Sequence, residues 1–232
     1  MRILHGSKIL LCISLLFMLP MPALAVQAVT CHCFTDRTFE PARPGAADPY
    51  FLASTQNSFF ALVFNTDKKT VVMKKQQGAS SDDLWIAYWV ASKTGTPPEN
   101  LLREKQGKLS WDEVLVPLNI STKALGPRFS GALKAKSSSA LLAVAVVDDL
   151  LSRYRLHDET ELAAMRQLGA SSQELIISAV ISARTGRPAK QLFLEVRSGA
   201  KTWGQLLQWA QIDTRNMQQE LSTLLQKQNK QR

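Results

Sequence analysis

The chain repeats itself. Gly78-Ala79-Ser80-Ser81 returns as Gly169-Ala170-Ser171-Ser172, ninety-one residues later. The same offset carries Leu84 onto Leu175, Thr94-Gly95 onto Thr185-Gly186, Pro97 onto Pro188, Leu101 onto Leu192 and Glu104 onto Glu195. One inserted residue then sets Gly107 against Gly199, Ser110-Trp111 against Thr202-Trp203, and Ile120 against Ile212. A fixed order of Gly, Pro and Trp rarely recurs by chance. Each copy runs about 75 residues, 48–121 and 139–213, longer than an ordinary solenoid repeat, so the expectation is a duplicated small domain.

Start and stop signals make both copies helical. Asp48-Pro49 opens a helix carrying Phe51, Leu52, Phe59, Phe60 and Val63, because Pro suits the first turn. A second helix follows Asp67. Ser80-x-x-Asp83 and Ser110-x-x-Glu113 read as capping boxes, matched by Ser171-x-x-Glu174 and Thr202-x-x-Gln205. Thr94-Gly95 and Thr185-Gly186 end helices, since Gly accepts the left-handed conformation past a helix. Trp111, Val114, Leu115 and Leu118 fall on one face, as do Trp203, Leu206, Leu207 and Ala210. Val71-Val72 and 141–147 favour strands by propensity, but their lengths and flanking caps predict helix. The fold expected is all-α, closed by an amphipathic helix over 214–232 bearing Met217, Leu221, Leu224 and Leu225. Between the copies, 122–138 reads as a basic linker.

The N-terminus reads as a signal peptide over 1–25. Arg2 and Lys8 precede an apolar run from Ile9 to Leu19, Pro20 and Pro22 break it, and Ala23-Leu24-Ala25 offers a small-x-small cleavage site. The run is shorter than the roughly 20 residues a spanning helix needs, and no later segment is long and apolar enough. Cleavage after Ala25 leaves 26 basic residues of the original 28 against 19 acidic, a charge of +7. That balance favours an anionic envelope component or an acidic protein as partner; an exported chain has no nucleic acid to meet.

Chemistry is sparse. Cys31-His32-Cys33, in the extended segment 26–47, is the one reactive constellation. In an oxidising compartment two thiols this close favour a Cys31–Cys33 or interchain disulfide. The alternatives are a metal site, short of the four ligands zinc takes, and thiol exchange, without the Cys-x-x-Cys spacing. His157 is the remaining mature histidine, so no Ser/His/Asp set, Gly-rich phosphate loop or His-Glu-x-x-His zinc helix is spelled out. The reading is no enzyme, no catalytic residue and no cofactor. Lys93-Thr94-Gly95 and Arg184-Thr185-Gly186-Arg187-Pro188 read as helix ends rather than anion sites. Trp85, Trp89, Trp111, Trp203 and Trp209 read as core rather than a ligand platform.

The stretch 181–188 with Gly199 and Thr202-Trp203 resembles a short helical repeat of uncharacterised exported bacterial proteins, which carry no activity to transfer. The rhythm is also similar to helix-turn-helix units, but export argues against DNA reading. The expected function is a non-catalytic exported interaction module; the alternative is an envelope thiol or metal protein acting through Cys31, His32 and Cys33. Non-reducing mass spectrometry of the protein from its envelope should give a chain starting at Val26, two hydrogens light. An intact Met1 would sink the leader, and a metal adduct lost in Cys31→Ser/Cys33→Ser would favour the alternative.

Overall fold

A computed structural model describes residues 34–108, 110–118 and 121–230. The stretch 1–25 read as a signal peptide, and Cys31, His32 and Cys33, lie outside the described residues. The protein is all-helical, with twelve α-helices and no strand among the described residues. They are α1 (Asp48–Val63), α2 (Lys68–Gln76), α3 (Ser81–Thr94), α4 (Pro98–Lys105), α5 (Trp111–Leu115), α6 (Pro127–Lys134), α7 (Ser139–Arg153), α8 (Glu159–Gln167), α9 (Ser172–Thr185), α10 (Ala189–Arg197), α11 (Trp203–Trp209) and α12 (Met217–Lys230). Helices α7 to α10 begin ninety-one residues after α1 to α4, and α11 begins ninety-two after α5.

Local chemistry accounts for these boundaries. Gly95 and Gly186 close α3 and α9 at φ 75° and 73°, each N–H bonding back to the carbonyl of Ala91 or Ser182. Reciprocal capping boxes form at Ser171/Glu174 and Thr202/Gln205. The other two expected boxes do not close. Ser80 accepts from the Asp83 N–H, but the Asp83 carboxylate is drawn to the Trp111 indole N–H at 2.7 Å. Ser110 donates its hydroxyl to Glu113 instead of capping a backbone N–H.

The stretch read as a linker is folded. It holds a 3-10 turn, Thr122–Leu125, and then α6, with Leu125 and Phe129 fully buried. Gly126-Pro127 looks like a breaker but works as an initiator: Pro127 is the first helical residue, and Gly126 supplies the φ of 85° before it. The second half ends likewise in a 3-10 turn, Thr214–Asn216, leading into α12.

Packing interleaves the halves. The three most extensive helix pairings, α3 with α7, α6 with α7 and α1 with α9, all join residues before 135 to residues after 138. Helix α1 lies on α9, α11 and α12 of the second half; α7 lies on α3 and α6 of the first. One core therefore runs through both halves, from Phe51 and Phe59 through Trp85, Trp89 and Trp111 to Trp203 and Leu221. Neither half closes a core alone.

Helix α1 is buried through a polar run, Ser54 to Ser58, whose side chains must find partners inside the protein. Thr55 and Ser58 hydroxyls donate to the carbonyls of Phe51 and Ser54. Lys68 donates to Ser54 and Lys75 to Asn57, at 2.9 and 2.7 Å. Gln173 of α9 donates to Gln56 at 3.0 Å, across the halves. The Lys75–Asn57 pair has a stronger counterpart at the same offset, Arg166 on Asp148 at 2.6 Å.

Asp149 of α7 ties α6 down, accepting from the Phe129 N–H and from Arg128. A Cβ on Gly126 would lie 2.5 Å from its Oδ2. Gly126→Ala should therefore cost about 1–3 kcal/mol by overpacking and shift the denaturant midpoint at constant slope. Gly95→Ala, with φ 75° but nothing within 4 Å, should cost less; equal losses would show that the contact with Asp149 is unimportant.

Candidate functional site

The turn between α2 and α3 is close to the C-terminal end of α4, and between them lies a cleft of about 400 Å³. Lys74 and Gln77 come from the end of α2, Gly78 to Ser80 from the turn, Asp83 from the first turn of α3, and Leu102, Lys105 and Gln106 from α4 and its end. Gly78, at φ 93°, makes the reversal that opens this wall. Lys74 is held by Glu99 at 3.1 Å, and Lys105 donates to the Lys108 carbonyl at 2.9 Å. Burial works to raise the Glu99 carboxyl, but its own backbone N–H and the Lys74 ammonium hold it below the usual glutamate range. Donor groups from two lysines and the glutamine amides outnumber the one lining carboxylate, Asp83, which the Trp111 indole N–H holds in the first turn of α3.

The second half fills the equivalent space. Lys74, Leu102 and Lys105 correspond at the ninety-one-residue offset to Met165, Phe193 and Val196. Met165 and Phe193 are buried in the core, and the Arg197 guanidinium lies across the Phe193 ring. The same backbone course thus carries two lysines around a recess in one half and, in the other, buried apolar side chains with Arg197 beside Gly169, the counterpart of Gly78.

The residues singled out in the sequence are dispersed. Trp85, Trp89, Trp111 and Trp203 are buried, the Trp89 indole N–H donating to the Leu125 carbonyl. Trp209 departs from the expectation of core: it is 52% exposed, on the last residue of α11, with Arg187 over its ring. Lys93 sits in the last turn of α3 against the Trp89 ring, and burial and Arg153 lower its pKa. Arg184 pairs with Glu220 of α12, binding the end of α9 to the closing helix. His157 is fully buried, Nε2 on the Leu175 carbonyl at 2.9 Å and Nδ1 beside Glu161 at 3.2 Å. No group of three metal-ligating side chains gathers among the described residues. The cleft escaped the sequence reading because three separated segments build it; its signal was the exchange of Lys74 and Lys105 for apolar residues at the ninety-one-residue offset.

The surplus charge is also localised. Residues 48–121 and 139–213 each carry eight basic and eight acidic residues, while 122–138 and 214–232 carry four basic residues each against a single acid, Glu220. The positive surplus therefore belongs to the segments of α6 and α12. No helix among the described residues is long and apolar enough to cross a membrane. No protein family, curated protein or solved structure matches the chain.

Glu161 is a further staple: it accepts from the Lys190 N–H at the start of α10 and meets His157. The hydrogen bond with His157 leads in holding its pKa below the usual glutamate range, with burial opposing and the Lys190 N–H assisting. A lowered acid stabilises the fold above its unfolded pKa and loses that contribution as pH falls through its folded value. Glu161→Gln should cost about 1 kcal/mol at neutral pH, and the gap from the parent should shrink on acidification. A gap constant from pH 7 to 3 in urea melts would rule out this charge linkage.

Proposed function

We propose that this chain is an exported, non-catalytic binding module built from two copies of one helical unit, and that the first copy's cleft holds an anionic group of its partner. The observation that carries this reading is the divergence at one place: lysines face a recess where the second half has Met165 and Val196. Matched core positions, such as Leu84 and Leu175 or Trp111 and Trp203, remain apolar and buried. Matched helix starts support the duplication, and the leader-like N-terminus supports export. The anion is a carboxylate or phosphate of an envelope component or an acidic protein segment, the groups that donor-rich clefts hold best.

Titration of the isotope-labelled protein with phosphate and with acetate tests the site. Amide shifts should cluster at 74–83 and 102–106 and saturate. Lys74→Met/Lys105→Val, which installs the second half's residues, should weaken binding about tenfold or more, the scale of one lost charge-assisted hydrogen bond. Its helix content should stay unchanged. Shifts confined to α6 and α12, or equal in parent and variant, would reduce the interaction to net charge and overturn the cleft assignment.

A further inference from the structure

We infer that each half of this chain is a docking surface for the opposite half of a second copy, so that the protein has a second closed state: a dimer that exchanges halves through the Ala135–Ser138 connector. The partner is fixed by complementarity already present. The face that α1 presents to α9, α11 and α12, and the face that α7 presents to α3 and α6, both run between the halves. A second copy offers the same faces, so exchange recreates every core contact and adds no new surface to solve.

The polar contacts across this boundary obey the same rule. Gln56 meets Gln173, Asp48 accepts the N–H groups of Trp203 and Gly204 at 2.9 and 2.8 Å, and Thr202 donates to the Pro44 carbonyl. None of them requires the two halves to belong to one chain. The connector alone decides that. Its reversal is tight: Lys136 N–H bonds to Leu133 and Ser137 N–H to Ala132, with Lys136 in the left-handed region at φ 51°. A lysine there is strained where a glycine is not, as are Asn65, Arg155 and Gln211 in the same turn at three other helix ends. Of the four, Lys136 is the one between the halves, and opening its turn into an extended or helical connector relieves it. Short strained hinges of this kind favour exchange between copies. The closed monomer prevails at low concentration because its halves face each other at an effective concentration of about millimolar.

The test places a reporter across the boundary. Gln56→Cys/Gln173→Cys, in the full chain with Cys12→Ser, Cys31→Ser and Cys33→Ser, is joined by a short bismaleimide, and the products are sized under denaturing conditions. In the parent the link closes within one chain. Deleting residues 136–138 removes the reversal, and the protein should become a dimer in solution whose links join two chains. Lys136→Gly, which relaxes the turn, should lower the dimer fraction on refolding at about 1 mM relative to the lysine parent. A deletion variant that remains a monomer, or that dimerises with links still inside single chains, would overturn the proposal. If that variant loses its helical signal, the refolding comparison decides: interchain links at 1 mM that fall in Lys136→Gly support exchange, and their absence in the parent refutes it.

Discussion

Helix α1 is the piece on which the closure of the fold depends. It carries a buried polar run flanked by Phe51, Phe59 and Phe60, and its resting place is made by α9, α11 and α12. Burying five consecutive polar side chains is costly unless each finds a partner. The lysines of α2 and Gln173 of α9 answer that demand, and the bond from Gln173 to Gln56 also sets where along the second half the helix lies. Helix α7 solves the reciprocal problem with charge, holding Asp148 against Arg166 and Asp149 against α6. Greasy area alone would let either helix slide by a turn; the buried polar bonds specify one register.

Carboxylates planted at the starts of neighbouring helices recur through the molecule. Asp48 does this for α11, Asp149 for α6 and Glu161 for α10. Each neutralises the positive end of a helix and satisfies N–H groups that no intrahelical carbonyl reaches. For Asp48 and Asp149, burial outweighs these bonds and leaves the carboxyl above the usual aspartate range. These two acids act as positional pins more than as sources of stability, whereas Glu161, held below its usual range, adds stability as an anion.

Much of the helical layout was legible in the chain because it depends on local rules. Gly95 and Gly186 end helices, Ser171 and Thr202 begin them, and Trp111 and Trp203 mark equivalent core positions. Three features were hidden for physical reasons. Asp83 fits a capping box until a tryptophan twenty-eight residues away claims its carboxylate. Gly126-Pro127 can read locally as a break or as a helix start, and the buried Phe129 and the distant Asp149 decide for the start. The interleaving of the halves has no local signature, since α1 packs both on its own neighbours α2 and α3 and on α9 and α12 of the second half, and only the three-dimensional fit adds the second set. The cleft was written in the sequence as a difference between copies, but its lining residues become neighbours only once the α2–α3 turn meets α4.

The docking of α1 also bears on the order in which the protein assembles. Phe59 and Phe60 already meet Trp85 of α3, but the second-half partners of α1 begin at Ser172 and extend to Lys230. A chain emerging from its N-terminus must therefore hold the face with Phe51, which lies beside Gly204, uncovered until nearly the last residue is available. The segment 81–153 has its own local pairings, α3 with α4 and with α7, and can condense earlier. Long-range closure of this kind is slow relative to helix formation. The consequence is a protein whose first part can condense early but whose core is finished in one late step, when α1 meets α9, α11 and α12.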